Sequence, residues 1–170
     1  MIPDALLSSE SDEWYTPPKD IEAVIAVLKH IDLDPCSPYP DGPVPAALHY
    51  TIEDNGLIQP WKGRVFMNPP YGRQNPKWCT KLVKEYQAGN VIEAIVLVCF
   101  STETEWFNLL AEVSPLWCAP SDRIKFIPGE GNTKRNSPTK GNAFFYLGHN
   151  EEKFIEVFKS RGRIWKEVTS

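Results

Sequence analysis

The sequence predicts a three-layer α/β fold built on a largely parallel sheet, and two observations carry that prediction. Apolar runs with strand character alternate along the chain with segments whose apolar residues repeat at helical spacing. The run from Ala94 to Cys99 is continuously apolar, as in a strand that is covered on both faces. This alternation is typical of strands connected by helices that pack on the two faces of one sheet.

Each element has a local justification in the sequence. Two prolines, Pro17 and Pro18, favour a helix start, and Gly89 is a stop signal for a later helix. We expect residues 1–12, which are polar, to be loosely ordered. The predicted order is a helix at 17–30, strands at 31–34, 50–52 and 64–67, a helix at 76–88, a strand at 93–100, a helix at 103–113, strands at 116–119, 123–126 and 142–147, a helix at 151–159 and a strand at 164–168.

Length and composition favour one ordinary globular domain over residues 1–170. The chain is 42% hydrophobic and 24% charged, and no apolar stretch is long enough to span a membrane. No basic segment followed by an apolar one opens the sequence, so we expect an intracellular, cytoplasmic protein without a signal peptide.

The cysteines and histidines do not predict a metal site. The four cysteines are widely spaced, without a Cys-x-x-Cys pair or a histidine at ligand spacing. We therefore expect no metal, and reduced thiols that are mostly buried.

A basic segment, residues 123–140, stands out in a chain whose net charge is −4, because it holds five lysines and arginines against Glu130 alone. Its composition fits a solvated loop or a phosphate contact, and a local patch matters more for nucleic-acid binding than the net charge. Residues 127–142 are rich in Gly, Pro, Ser and Asn and predict a loop that is a candidate DNA-contact insert. The candidate DNA-binding residues are Arg73, Arg123, Lys125, Lys134, Arg135 and Lys140.

The tetrapeptide Asn68-Pro69-Pro70-Tyr71 is the most specific chemical signal in the chain. It follows the apolar strand at 64–67, so it lies at the carboxyl end of a strand, where open α/β sheets bind ligands. The Asn68 side-chain oxygen and the Pro69 carbonyl are two acceptors for the hydrogens of a planar amino group. Tyr71 can stack on the ring that carries this group. Adenine and cytosine both offer such an amine. The alternative interpretation is a proline-rich turn that has no catalytic role.

Two further segments fall at strand ends or helix entries, where the same cleft can collect them. Asp34 ends a strand, and its carboxylate can accept from an ammonium group and from backbone amides, or simply cap a loop. Thr16 precedes Pro17 at a helix start, which suits an anion or a plain N-cap. Asp54 can accept from a ribose or a base, although a solvated turn is the simpler role.

In order along the chain, these segments resemble the phage-type DNA N-6-adenine methyltransferase family. The resemblance spans residues 13–148, nearly the whole chain. It rests on Glu13-Trp14-Tyr15-Thr16-Pro17, Asp32-Leu33-Asp34-Pro35-Cys36-Ser37, Asn55-Gly56-Leu57 with Trp61, Phe66 to Gly72, Arg123-Ile124-Lys125-Phe126, and Asn142-Ala143-Phe144-Phe145-Tyr146-Leu147-Gly148.

The resemblance implies a Rossmann-like fold and methyl transfer from S-adenosylmethionine to the exocyclic N-6 amine of a flipped-out adenine in double-stranded DNA. It implies Asn68, Pro69, Pro70 and Tyr71 as catalytic residues. The cofactor residues that it implies are Trp14, Tyr15, Thr16, Pro17, Asp34, Pro35, Cys36, Ser37, Asp54 and Asn68. The loop after Asp34 departs from the family pattern, because its first glycine is Gly42.

Several alternatives stay open from the sequence. The same tetrapeptide serves methyltransferases of RNA adenine and of protein glutamine, and cytosine is chemically possible. A non-catalytic nucleic-acid-binding module on this fold is the alternative from a different class. The target sequence and the oligomeric state are not predicted. A phage origin and a role related to restriction and modification follow from the resemblance only.

Overall fold

A seven-stranded mixed sheet forms the centre of the molecule, and a two-stranded ribbon accompanies it. The computed structural model describes residues 14–70, 73–130, 132 and 140–168. The strands are β1 (Trp14–Tyr15), β2 (Ile31–Asp34), β3 (Ala46–His49), β4 (Gly63–Met67), β5 (Val91–Cys99), β6 (Leu116–Pro120), β7 (Ile127–Pro128), β8 (Asn142–Leu147) and β9 (Gly162–Lys166). The helices are α1 (Pro18–Leu28), α2 (Asn75–Gln87), α3 (Glu105–Val113) and α4 (Glu151–Phe158).

The strand order of the large sheet is β3-β2-β4-β5-β8-β6-β9. The first four strands are parallel neighbours, whereas β8 is antiparallel to β5 and to β6, and β9 is antiparallel to β6. Five strands therefore run in one direction, and β8 and β9 run in the other. The predicted parallel character holds for the half that contains β2 and β4, while the other half alternates.

The sheet is covered on both faces, so the molecule has three layers. Phe66 and Ile95 pack with α1 and α4 in one hydrophobic cluster, while their neighbours Val65 and Val96 pack with α2 and α3 in a second cluster. This split follows from the alternation of side chains along a strand. It explains why β4 and β5 read as continuous apolar runs, since both of their faces are buried.

The helix boundaries follow the sequence signals closely. Pro18 opens α1, and the Thr104 hydroxyl accepts from the Phe107 N–H at the start of α3 (3.3 Å). Gly89 follows α2 with a φ of +78°, a conformation that glycine adopts without steric cost. Asn150 caps α4 by accepting from the Lys153 N–H (3.3 Å).

The prediction of a strand at 50–52 is wrong, because the strand lies just before it, at Ala46–His49. A proline-rich stretch precedes β3. This strand lies at the edge of the sheet, where it pairs with β2 on one side only. The predicted segment instead turns, because the Asp54 carboxylate accepts from the Thr51 N–H (2.8 Å) and from its hydroxyl (2.9 Å). This turn leaves Ile52 93% exposed.

The prediction of a strand at 123–126 is also wrong. Ile124 and Phe126 are buried while Arg123 and Lys125 are exposed, so the segment has the in-and-out pattern of a strand. It forms no sheet ladder. The short β7 directly after it pairs with β1 in antiparallel fashion and lies within the predicted loop 127–142. The predicted loose segment 1–12 lies outside the described residues.

Candidate active site

The carboxyl ends of β2 and β4 are adjacent, and they form the edge of the sheet where the candidate site lies. These two strands are parallel, with Leu33 opposite Val65. Asp34 therefore ends one strand beside Asn68, which directly follows the other. The third predicted segment joins them, because β1 and Thr16 line the same cavity. The sequence predicted that these three segments would meet.

A cavity of about 280 Å³ opens between these segments, close to the lower end of the range for small-molecule sites. Its wall combines polar groups with apolar and aromatic side chains. The lining residues are Trp14, Tyr15, Thr16, Asp34, Cys36, Pro38, Pro43, Val44, Ile52, Phe66, Asn68, Pro69 and Pro70.

The Asn68 side chain is held with its oxygen free. Its Nδ2 donates to the backbone carbonyl of Trp14 (3.1 Å) and to the Thr16 hydroxyl oxygen (3.2 Å). A carbonyl can only accept, so the nitrogen of the amide must face Trp14. The Oδ1 atom is buried and has no hydrogen-bond partner among the described residues. Asn68 therefore lines the cavity as an acceptor whose two N–H groups are already engaged.

Thr16 has a role that neither sequence interpretation anticipated. It is 7% exposed and does not cap α1, whose N-cap is Pro17 and carries no side-chain cap. Its hydroxyl oxygen instead accepts from Asn68, which leaves the hydroxyl hydrogen available to a ligand. The two partners are 52 positions apart in the sequence, which explains why sequence reasoning missed this contact.

Asp34 is buried in the cavity wall at 4% exposure. Burial raises its pKa to about 6, although the Cys36 N–H, the nearby His49 and the Ser37 hydroxyl each favour the charged form and limit the rise. The Cys36 N–H donates to Asp34 Oδ1 at 3.1 Å. No lysine or arginine among the described residues forms an ion pair with this carboxylate, so burial is the dominant influence.

The loop between β2 and β3 is closed by backbone contacts instead of by a glycine-rich turn. The Ser37 N–H donates to the Tyr50 carbonyl (2.9 Å), and the Tyr50 N–H donates to the Asp34 carbonyl (3.0 Å). Gly42 is the one position where a side chain would not fit, because an added Cβ would lie 2.1 Å from the Ser37 hydroxyl oxygen. The loop thus folds back on itself beside the cavity.

Cys36 lines the cavity, but its thiol is not a nucleophile. Burial, together with the charge of Asp34, raises its pKa well above the ordinary value, so the thiol stays protonated. All four cysteines are free, and Cys79 and Cys118 are fully buried, whereas Cys36 and Cys99 are partly exposed.

Several predicted site residues lie next to the cavity without lining it. Pro17, Pro35 and Ser37 are buried behind the wall, and the Ser37 hydroxyl donates to the Tyr39 carbonyl (2.8 Å). Asp54 is exposed in its turn, where the Thr51 hydrogen bonds lower the pKa of its carboxyl. Tyr71 lies outside the described residues.

Five lining residues were not predicted. They are apolar residues of the β2–β3 loop, of the following turn and of β4: Pro38, Pro43, Val44, Ile52 and Phe66. Composition could not distinguish them from core residues. The nearest signal was the density of prolines after Asp34, which marked a loop but not which side of it faces the cavity.

Tyr15 connects the cavity to the basic segment. Its strand pairs with β7, its hydroxyl accepts from the Glu130 N–H (3.4 Å), and its ring packs edge-on against Tyr39 with the centroids 6.2 Å apart. At the far end of the segment, the Phe100 N–H donates to the Gly141 carbonyl (2.8 Å) just beyond β5. The segment therefore begins and ends at the carboxyl edge of the parallel strands.

The described candidate DNA-binding residues are all on the surface. Arg73, Arg123, Lys125 and Lys140 are all exposed. The other two candidates, Lys134 and Arg135, lie outside the described residues.

The described part of the chain contains neither a group of metal ligands nor a membrane-spanning helix. Over those residues, no cluster of three or more His, Cys, Asp or Glu side chains is arranged to hold a metal ion. None of the described helices combines the length and the apolar character needed to traverse a bilayer.

The fold and the site together define a class: a mixed α/β protein with a ligand-sized cavity at a strand edge, lined by an asparagine whose buried side-chain oxygen has no hydrogen-bond partner among the described residues. A family model described as DNA N-6-adenine-methyltransferase (Dam) matches residues 4–166. The chain belongs to this family, which places it among the DNA methyltransferases. A comparison with curated proteins gave no significant match.

Proposed function

We propose that the protein transfers a methyl group from S-adenosylmethionine to the exocyclic N-6 amine of an adenine flipped out of duplex DNA. One observation carries this proposal within the family: Asn68 lines the cavity, and its buried oxygen has no hydrogen-bond partner among the described residues, while both of its N–H groups are engaged. A buried acceptor without a donor is costly, so it favours a ligand that donates there. The exocyclic amino groups of adenine and cytosine donate, whereas the keto oxygens of thymine do not.

Asn68 and Pro69 act on the amine directly. The Asn68 oxygen accepts one amine hydrogen, and the adjacent Pro69 carbonyl accepts the other. Accepting both hydrogens draws the nitrogen lone pair out of conjugation with the ring, so that the lone pair becomes available for bond formation. These acceptors are fixed before substrate arrives, which means that positioning and preorganised electrostatics supply the acceleration. Tyr71 is proposed to stack on the flipped base.

The residues of the cavity fit a sulfonium cofactor that carries an amino acid moiety. When bound, S-adenosylmethionine supplies an activated methyl group. Asp34 would accept from its ammonium, because this buried carboxylate lacks an ion-pair partner among the described residues. The free hydroxyl hydrogen of Thr16 can donate to its carboxylate. Trp14, Tyr15, Pro17, Pro35, Cys36 and Ser37 would shape the surrounding wall, and Asp54 would bind only if its turn opens.

The protonated Cys36 thiol supports direct transfer to the amine. A mechanism through a covalent cysteine adduct requires a thiolate, and burial disfavours that form here. The other described lining residues carry no activated nucleophile. The reaction therefore needs acceptors for the amine and not a covalent intermediate.

DNA contact is assigned to the basic segment and to Arg73. Because Glu130 of the segment bonds to Tyr15, which lines the cavity, the cations of the segment would lie close to the strand from which the base is flipped. Exposed arginine and lysine side chains are the usual contacts for phosphates. Arg123, Lys125, Lys134, Arg135 and Lys140 would set the position of the duplex.

The test is transfer of labelled methyl from S-adenosylmethionine to unmethylated duplex DNA, followed by nucleoside analysis. Label in N-6-methyladenine that is lost in Asn68→Ala supports the proposal. Asn90→Ala is the matched control, since Asn90 is exposed and bonds to Glu85 away from the cavity (2.9 Å). This control should retain full activity.

The other outcomes separate the alternatives. Label in N-4-methylcytosine would identify cytosine, and not adenine, as the substrate base. If DNA stays unlabelled while cofactor binding is intact, RNA and protein glutamine become the substrates to assay. If no cofactor binds, the chain is a nucleic-acid-binding module and the proposal fails.

A further inference from the structure

Strand β9 is an open edge of the large sheet. Its inner side pairs with β6, and no described strand pairs with its outer side. The Ser121 N–H donates to the Arg161 carbonyl (3.0 Å), and the Glu167 N–H donates to the Pro115 carbonyl (2.8 Å). Because bonding alternates along an antiparallel strand, the residues with odd numbers face β6. The backbone groups of Ile164 and Lys166 therefore face outward.

The side chains on this strand are unusual for a sheet edge. Trp165 is 50% exposed, although it lies opposite Trp117 on the face covered by α2 and α3. A large exposed aromatic beside unpaired backbone groups favours association with another strand. Arg163 and Glu167 are exposed on the same face, two residues on either side of Trp165.

We propose that β9 pairs with β9 of a second copy of this chain, antiparallel and with Trp165 opposite Trp165 of the partner subunit. A two-fold axis through this pair makes the interface self-complementary, as is usual in homodimers. In this register Arg163 faces Glu167 of the partner subunit, and the reverse pair forms as well. The two sheets join into one.

The hydrogen-bonding pattern agrees with this register. The outward backbone groups of Ile164 would pair with those of Lys166 of the partner subunit, and each bond would have its two-fold mate. The tryptophan pair and the charge pairs then occupy non-hydrogen-bonded positions, where opposite side chains approach most closely. Over the described chain, neither Arg163 nor Glu167 forms an ion pair of its own.

A charge-reversal pair tests the register. In the homodimer of Arg163→Glu, both charge pairs become Glu opposite Glu, and in that of Glu167→Arg both become Arg opposite Arg. Each variant alone should sediment as a monomer. In an equimolar mixture every pair is Glu opposite Arg, so a dimer should form again. The wild type should sediment at twice the chain mass of 19.3 kDa at high concentration.

Three results would overturn the proposal. A wild type that stays monomeric at the highest attainable concentration would mean that the charges on β9 guard the edge, as they often do. A mixture that does not dimerise would exclude this register. Dimerisation unchanged in Trp165→Ala and in both charge variants would place the interface elsewhere.

The test is independent of catalysis. Because β9 and the strands of the cavity lie in opposite halves of the sheet, methyl transfer by the charge variants should equal that of the wild type. A circular dichroism spectrum equal to that of the wild type shows that these variants fold, so a monomer among them reports on association and not on unfolding.

Discussion

Asp20 and Asp34 are both buried aspartates, but their carboxylates differ in whether the fold supplies a positively charged partner. Asp20 is fully buried near the start of α1, and the guanidinium of Arg161 donates to its Oδ1 through Nε at 2.9 Å and also through an NH2 group. Asp34 is almost as buried but receives only neutral donors and the influence of His49. The first charge is neutralised within the fold, whereas the second awaits a cation from outside.

The difference teaches how to separate a structural carboxylate from a site carboxylate. A buried charge is retained for stability only when its partner is also part of the fold. A buried carboxylate without an ion pair lowers stability at neutral pH, so its retention is best explained by a ligand. Asp34 lies at the cavity and Asp20 does not, which agrees with this distinction.

Removing the internal partner should have the largest effect. Arg161→Ala leaves Asp20 buried without a cation, and we expect a loss of about 3–5 kcal/mol in the free energy of unfolding. Urea denaturation measures this loss. The matched control is Arg123→Ala, an exposed arginine outside β9, which should change stability by less than about 0.5 kcal/mol. Equal effects of the two variants would contradict the structural role of Asp20.

Replacing the Asp34 carboxylate by a neutral amide should raise the free energy of unfolding, whereas Arg161→Ala should lower it. The raised pKa means that protonated Asp34 is favoured in the folded state, so its contribution to stability is present below pH 4 and is lost as pH rises through about 6. Asp34→Asn should therefore stabilise the protein by up to ~3 kcal/mol at pH 7.5, and by little at pH 4. Thermal unfolding at the two pH values measures the difference, and a loss of stability at pH 7.5 would refute it.

Cofactor affinity should also depend on the protonation of Asp34, but it should increase with pH whereas the contribution of Asp34 to stability decreases. If Asp34 binds an ammonium group, the affinity for S-adenosylmethionine should be highest above pH 6 and should weaken roughly tenfold per pH unit below it. Calorimetric titration between pH 5 and 8 measures this dependence. In Asp34→Asn the affinity should be low and independent of pH. A wild-type affinity that does not vary across this range would remove Asp34 from the cofactor site.

The smallest expected effect concerns the orientation of Asn68. Thr16→Val removes one of the two acceptors of its amide while preserving shape, whereas Thr16→Ser retains the hydroxyl. We expect kcat to fall about tenfold in the valine variant, an effect of about 1–2 kcal/mol, and to recover in the serine variant. Steady-state kinetics at saturating cofactor measures kcat apart from affinity. A change confined to the cofactor KM would assign Thr16 to binding alone.

The sequence predicted those parts of the fold in which local pattern and burial coincide. The strands at β2, β4, β5 and β8 and all four helices were anticipated, because apolar runs and capping signals mark them directly. At β3 the pattern failed, since Leu48 of this edge strand is 47% exposed. At 123–126 apolar and charged residues alternate, and this pattern predicted correctly which side chains are buried but wrongly that the segment pairs in a sheet.

For the candidate site, the sequence indicated which segments converge but not how their atoms are paired. Asn68 and Asp34 followed from strand ends, because parallel neighbours present their carboxyl ends together. The engagement of the Asn68 amide by Trp14 and Thr16 depends on contacts across more than 50 residues. The free oxygen of Asn68 and the pKa of Asp34 are properties of that assembled environment, so no local pattern encodes them.

The loop beside the cavity has a thermodynamic consequence. Residues 35–45 contain five prolines, and the backbone contacts of Ser37 and Tyr50 close the loop through groups of the chain itself. Proline restricts the conformations of the free chain, so little disorder remains for a ligand to remove. A glycine-rich phosphate or nucleotide loop must surrender more conformational entropy when it binds. Here that ordering is completed during folding, and binding should show a correspondingly small entropic penalty from the protein.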